Sequence, residues 1–93
     1  MSTIILRLYI AGQTPTAEKA ISNLYQITSE LKQHGQELDV EVVDILERPQ
    51  LAEDEKILAT PVLIKKLPEP VRRIVGDLSE REKVLIGIDL KEY

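Results

Sequence analysis

The sequence predicts an α/β domain that opens with a parallel strand–helix–strand unit. Three observations predict it: a short apolar run at residues 4–10, an amphipathic pattern that begins at Pro15, and a second apolar run that begins at Leu38. Short apolar runs are typical of buried strands, and apolar residues at spacings of three and four are typical of a helix. Strands joined by so much intervening chain are expected to lie parallel, with a right-handed crossover. We expect one domain over residues 1–93.

The first helix has a clear beginning and end in the sequence. Thr14 is expected to cap it, and Pro15 to take its first position, where the missing proline N–H costs nothing. His34 and Gly35 are expected to end it. Its apolar face comprises Ala17, Ala20, Ile21, Leu24, Ile27 and Leu31.

The elements that follow are shorter. The second strand is expected over residues 38–46, and residues 50–58 are predicted to form a short acidic helix. A third apolar run begins after Pro61, which at the entry of a strand removes no essential hydrogen bond. Residues 71–75 alternate apolar and basic side chains, as expected of a further short strand.

The segment SEREKVLIGIDL, residues 79–90, fits two different structures. Ser79 and Glu82 have the spacing of a capping box, which predicts a helix. The apolar and largely β-branched run that follows favours a strand, and Gly87 would weaken a helix by about 1 kcal/mol relative to alanine. Local sequence alone leaves both structures open.

Composition excludes several functional classes. The chain has no cysteine and one histidine, which excludes disulfides, thiol catalysis and a His/Cys metal site. It also has no phosphate-binding glycine loop, so we expect neither an enzyme nor a bound cofactor. The net charge of −4 argues against general nucleic-acid binding. No apolar run has the length of a membrane span and no signal peptide is recognised, so a cytoplasmic location is expected.

The order of the predicted elements is that of a thioredoxin-like domain, with Thr60-Pro61 where that fold carries its cis-proline. Three further segments are distinctive: LYIAGQTP at residues 8–15, PQLAEDEKILATP at residues 49–61, and PVRRIVGDLSEREKVLIGIDL at residues 70–90. Through these segments the chain resembles, over nearly its whole length, the KaiB family of the bacterial Kai timing system.

The resemblance implies a non-enzymatic protein that docks on the hexameric ATPase KaiC. In cyanobacteria such a protein then sequesters KaiA and engages output histidine kinases. The family also implies two folds that share the N-terminal βαβ unit. The C-terminal half is βααβ in a tetrameric ground state and αββα in a thioredoxin-like monomer that binds partners; the resting oligomer, tetramer or dimer, is left open. The alternative function is a thioredoxin-like interaction module fixed in one fold and serving stress signalling without a clock.

The resemblance also implies roles for individual residues. Partner binding is expected of Lys19, Gln50 and Lys56, and of a basic cluster formed by Lys65, Arg72 and Arg73. Such a cluster on an acidic chain is suited to steering an acidic partner.

Control of the fold switch is expected of Pro61, Gly87 and Asp89. Gly87→Ala removes a helix penalty, and Asp89→Arg removes a negative charge from a helix C-terminus. The double substitution is therefore predicted to raise the monomer fraction and the affinity for partners.

Glu41, Glu47 and Arg48 are departures from the cyanobacterial pattern, which has lysine near the first two positions and a neutral residue at the third. They leave the identity of the partner open and indicate a divergent or non-cyanobacterial member of the family.

Overall fold

The computed structural model describes residues 3–90. In chain order the elements are β1 (Ile4–Ile10), α1 (Pro15–Gln33), β2 (Leu38–Asp44), α2 (Pro49–Asp54), β3 (Val62–Leu67), β4 (Arg72–Val75) and α3 (Arg81–Gly87). The strands form one sheet in the order β2-β1-β3-β4. β1 and β2 pair in parallel, with Ile4 opposite Leu38, whereas β3 is antiparallel to both β1 and β4. The predicted parallel strand–helix–strand unit is confirmed.

The two faces of the sheet carry different cores. The larger core lies between the sheet and the pair α1 and α3, and its fully buried members include Leu6, Leu8, Leu24 and Ile88. The smaller core lies on the face that carries α2 and comprises Tyr9, Val43, Val62 and Ile64. The chain therefore forms three layers, with α1 and α3 on one side of the sheet and α2 on the other.

Every helix among residues 3–90 ends in a Schellman motif, in which a residue of left-handed backbone follows the helix and the next N–H reaches back to an earlier carbonyl. The reaching bonds are Gln36 N to Leu31 O, Ile57 N to Ala52 O, and Leu90 N to Leu85 O. The left-handed residue is Gly35 after α1, Lys56 after α2 and Asp89 after α3, with φ of 85°, 54° and 65°. Glycine adopts this backbone freely, whereas for residues with a Cβ it is energetically unfavourable.

The first helix matches its predicted ends. The Thr14 side chain accepts a hydrogen bond from the Ala17 N–H at 3.0 Å, and Pro15 is the first helical residue. His34 is the C-cap. These boundaries could be predicted from the sequence because each depends on one residue type with a specific backbone preference.

The second strand ends earlier than predicted, at Asp44 instead of Leu46. The reason is a turn organised by the Asp44 carboxylate, which accepts hydrogen bonds from the N–H groups of Gly12 and Leu46, each at 3.0 Å. The α2 helix starts one residue before the predicted range 50–58, at Pro49. It also ends earlier than predicted, because Lys56 has a left-handed backbone that cannot continue the helix.

The ambiguous tail is helical over Arg81–Gly87, but the predicted capping box is wrong. The N-cap is Glu80, which makes no side-chain cap bond. The Ser79 N–H instead donates to the Asp77 carboxylate at 3.0 Å, which forms a turn before the helix. Hydrogen bonding from Ser79 lowers the pKa of Asp77 below its ordinary value.

Candidate functional site

The exposed surface of α2 and of the turn that follows it is the candidate binding surface. Gln50, Lys56 and Leu58 are all exposed there. Lys56 and Leu58 line one shallow depression together with Pro49 and Ala52. Leu58 is 96% exposed, so its side chain takes almost no part in this chain's own core. An apolar side chain held in water next to a cationic one forms a mixed surface of the kind that protein partners cover.

α2 is attached to the sheet by few apolar contacts. It has six residues and none of them is fully buried. Leu51 and Ile57 pack partly against the smaller core. On the outer side of the helix, the Gln50 amide donates to the Asp54 carboxylate at 3.0 Å, one helical turn further on.

Polar contacts from the sheet hold the C-terminal end of α2. The Arg73 guanidinium donates to the carbonyl oxygen of Glu55 at 2.6 Å and to that of Lys56 at 3.3 Å. The Lys66 ammonium donates to the Glu55 carboxylate. Positive groups therefore meet the end of a helix whose last carbonyls lack intrahelical partners and carry partial negative charge.

A second charged group lies near the N-terminal end of α2. The Glu41 carboxylate is 3.2 Å from the Arg7 guanidinium and 3.4 Å from that of Arg48, the N-cap residue of α2. Arg7 also pairs with Asp39 at 3.2 Å. Two of the residues predicted to depart from the cyanobacterial pattern, Glu41 and Arg48, therefore contact each other, whereas Glu47 is exposed in the turn between β2 and α2.

The structure divides the predicted basic cluster between the two faces of the sheet. Lys65 is opposite Arg72 in the β3–β4 pair, and Arg73 is opposite Ile64. Because neighbouring residues on a strand point to opposite faces, Arg72 faces α3, where it pairs with Asp89 at 3.6 Å, and Arg73 faces α2. Lys65 is 1% exposed. In this fold it lies too deep to touch a partner, so the three residues do not form one basic patch.

Lys19 is exposed on α1, on the other side of the sheet from α2. Its charge adds to the hydrogen bonding from Ser79 that lowers the pKa of Asp77, which places Lys19 near the turn before α3. Lys19 and Lys56 therefore lie on different surfaces.

The three residues expected to control a fold switch lie in the C-terminal half. Pro61 is buried, its peptide bond with Thr60 is cis, and its carbonyl accepts a hydrogen bond from the Gly76 N–H at 2.9 Å. Gly87 is the last residue of α3, and a Cβ added there would lie 3.1 Å from the Ile74 side chain. Asp89 takes the left-handed position after that helix.

Sequence reasoning missed two residues of this site, Leu58 and Lys66. Both follow from tertiary placement, because a leucine near a helix end is ordinarily buried and a strand lysine ordinarily points to solvent. Residues 3–90 contain no group of three or more acidic, histidine or cysteine side chains that could hold a metal ion. Within the same residues, no helix has the length and apolarity needed to cross a membrane.

Comparison with known proteins identifies relatives over most of the chain. The family model described as KaiB domain matches residues 7–90. The circadian clock oscillator protein KaiB of Microcystis aeruginosa is 56% identical over 88 residues, which cover 95% of this chain and 83% of that protein. The circadian clock protein KaiB3 of Synechocystis sp. is 51% identical over 90 residues, which cover 97% of this chain and 86% of that protein.

Solved structures agree on the fold. The N-terminal domain of Synechococcus elongatus SasA superposes with a TM-score of 0.76 at 19% identity, over 100% of this chain and 90% of that one. The thioredoxin Deadhead of Drosophila melanogaster gives a TM-score of 0.74 at 13% identity, over 96% of this chain and 82% of that one. At such identities the likeness concerns the fold alone, which is thioredoxin-like, as predicted.

Proposed function

This chain belongs to the KaiB family, and we propose that it is a regulatory protein of a Kai-type timing system that binds a KaiC-type ATPase through the surface of α2. The observation that carries this proposal is the exposure of Lys56 and Leu58 in the turn that follows a short helix whose outer side the fold does not use. The family match supplies the class of partner. Its curated relatives are clock proteins by name, which supports a clock role over the alternative of a stress-signalling module.

The surface suits a partner that offers an apolar pocket beside an acidic group. Burying the Leu58 side chain would remove apolar area from water, and a fully buried leucine contributes roughly 1.5–3 kcal/mol. Lys56 and Gln50 would then supply polar contacts at the rim, which favour correct orientation more than raw affinity. KaiA and a histidine kinase are proposed as further partners. The charges of Glu41, Glu47 and Arg48 would decide whether those proteins bind.

Co-elution with the cognate KaiC-type ATPase, with and without ATP, tests the proposal. Leu58→Ala is expected to weaken binding at least tenfold, because it removes the central apolar contact, and Lys56→Glu is expected to weaken it too, because it places a like charge against the acidic group of the partner. Lys32→Glu is the matched control, since Lys32 is an exposed helix lysine on the opposite side of the sheet. If the unaltered chain fails to bind the ATPase in either nucleotide state, the interaction module without a clock becomes the better description.

We further propose that the thioredoxin-like arrangement is the binding state and that it exchanges slowly with a βααβ arrangement in an oligomer. Support comes from the tail, whose local sequence fits a helix and a strand about equally well. The two packings must differ by a few kcal/mol at most for such an exchange. Two sets of slowly exchanging NMR peaks for residues 60–90 are expected. One set at all temperatures and concentrations would overturn the exchange.

A further inference from the structure

The turn after α2 is a strained part of the proposed binding surface. Lys56 has a left-handed backbone, with φ of 54°, where a residue with a Cβ is disfavoured. Its side chain is one of the proposed contacts, and Leu58 follows two residues later. α2 itself cannot hold the turn, because it has six residues and isolated helices shorter than about 12–15 residues are marginal in water. Something outside the helix must fix this conformation.

Arg73 is placed to fix it. Its guanidinium bonds to the carbonyl oxygens of Glu55 and Lys56, which are the C-cap residue and the left-handed residue of the turn. Two bonds from one planar group to consecutive carbonyls define the orientation of both peptide units. The turn's own bonds, Lys56 N to Glu53 O at 3.1 Å and Ile57 N to Ala52 O at 2.9 Å, lie directly beside this contact.

We propose that Arg73 is a positioning residue for the α2 surface, and not one of its contacts. It would hold the left-handed turn so that Lys56 and Leu58 are presented together to a partner. This inference rests on the proposed function of the α2 surface, and it revises the role that the sequence predicted for Arg73.

The same contact couples the binding surface to the fold. Arg73 reaches the turn because β4 pairs with β3, which places Arg73 opposite Ile64 on the α2 side of the sheet. Any arrangement of the C-terminal half that separates β4 from β3 removes both carbonyl bonds. The α2 surface would therefore be ordered for binding in the arrangement that carries this β3–β4 hairpin.

Amide hydrogen exchange of the free chain tests the positioning role without any partner. Arg73→Met is expected to speed exchange of the Lys56 and Ile57 amides on the order of tenfold, because hydrogen bonds to charged groups contribute at least that factor. Arg73→Lys is expected to give an intermediate effect, since one ammonium cannot reproduce the guanidinium fork. Arg72→Met is the matched control for exchange, because Arg72 faces α3 and should leave these amides unchanged.

A rescue experiment distinguishes two explanations for faster exchange in Arg73→Met: release of the strained turn, and a general loss of stability. Lys56→Gly removes the need to force a Cβ into left-handed backbone. In that background, Arg73→Met is expected to speed exchange of the Ile57 amide by a clearly smaller factor than in the unaltered chain. An equal factor in both backgrounds would overturn the link between Arg73 and the strained turn.

Affinity for the KaiC-type ATPase completes the test. Arg73→Met should weaken binding in step with the faster exchange, whereas Lys32→Met should leave binding unchanged. Weaker binding with unchanged exchange would overturn the proposal and make Arg73 a direct contact, and faster exchange with unchanged affinity would overturn it too. If the unaltered chain does not bind the ATPase, the proposed function fails, while the exchange and rescue results still decide whether Arg73 holds the turn.

Discussion

The N-terminal and C-terminal halves of the described chain end their helices in the same motif but stabilise it differently. α1 has 19 residues, a threonine cap, a proline at its start and a glycine at its left-handed C-terminal position. α2 and α3 have six and seven residues, no side-chain cap, and Lys56 and Asp89 at the corresponding positions. An arginine of β4 contacts each of these two helix ends, Arg73 for α2 and Arg72 for α3.

This difference shows where each half gets its structure. In the first half, local preference and burial agree, since capping residues and core positions specify the same helix. In the second half, local preference opposes the structure at Lys56 and Asp89. Arg73 of the four-residue edge strand compensates at the turn after α2, whereas burial of Val84 and Ile88 in the larger core holds α3. Loss of the β3–β4 pairing would therefore release the turn after α2, whereas α3 would keep its core contacts and the first half its own determinants.

The largest effect is expected from the core of the first half. Leu24 lies on the buried face of α1 and is completely buried, and Leu24→Ala should lower the free energy of unfolding by about 2–5 kcal/mol, because it leaves a cavity in a packed core. Urea denaturation followed by circular dichroism measures this change. Leu58→Ala is the control and should stay within about 0.5 kcal/mol, since that side chain is already in water. Similar losses for both would contradict the assignment of the core.

A matched pair of substitutions tests the helix ends directly. Gly35→Ala should destabilise by about 1 kcal/mol; an added Cβ meets nothing within 4 Å, so the cost comes from the backbone alone. Asp89→Gly should stabilise the thioredoxin-like arrangement by up to about 1 kcal/mol, because glycine accepts left-handed backbone. The lost pair with Arg72 subtracts little, since both side chains are half exposed.

Thermal denaturation of Gly35→Ala and Asp89→Gly measures these two changes in stability. Destabilisation by Asp89→Gly would mean that the Arg72 pair outweighs the backbone strain. The same series sharpens the predicted effect of Asp89→Arg. That substitution removes a charge that opposes the helix dipole, but it also places a second cation beside Arg72 and keeps a Cβ in left-handed backbone. We therefore expect glycine to favour this arrangement more than arginine does.

The smallest effect is expected at Gly87. Alanine gains about 1 kcal/mol of helix propensity, but its Cβ would lie 3.1 Å from the Cδ1 atom of Ile74, so that methyl group must shift. Gly87→Ala should raise the monomeric, helical-tail population modestly, and Gly87→Ala with Ile74→Val should raise it further. Sedimentation velocity and NMR peak intensities for residues 60–90 measure both. A lower population in the double variant would show that the Ile74 contact is favourable.

Much of the fold was predictable from sequence because it depends on residue types with strong local preferences. Thr14, Pro15 and Gly35 define α1, and the apolar run at residues 4–10 defines β1. The errors came from aspartate side chains that accept hydrogen bonds from main-chain N–H groups and so form turns. The Asp44 carboxylate ends β2 through contacts with both the preceding and the following loop, and Asp77 takes the Ser79 N–H that a capping box would have used.

The candidate site was less predictable because it depends on which faces and side chains the tertiary structure leaves exposed. Gln50 and Lys56 were predicted from a matched segment, and both are exposed, as a binding role requires. Lys65, Arg72 and Arg73 were grouped because they are close in sequence. Adjacent strand residues point to opposite faces of the sheet, which separates Arg72 from Arg73, and Lys65 is buried and therefore not part of the surface. Leu58 carried no sequence signal, because exposure of a leucine depends on what the rest of the chain leaves uncovered.

Arg73 binds main-chain oxygens, and every amino acid supplies a main-chain oxygen. The identities of residues 55 and 56 can therefore change without removing its acceptors, provided that the backbone keeps its path. Side chains on the outer side of α2 are thus separable from the support beneath them. A designer who wished to redirect this surface to another protein could vary residues 50, 53 and 56 and keep Arg73. The main-chain atoms would hold the turn in place, and the new side chains would determine which partner binds.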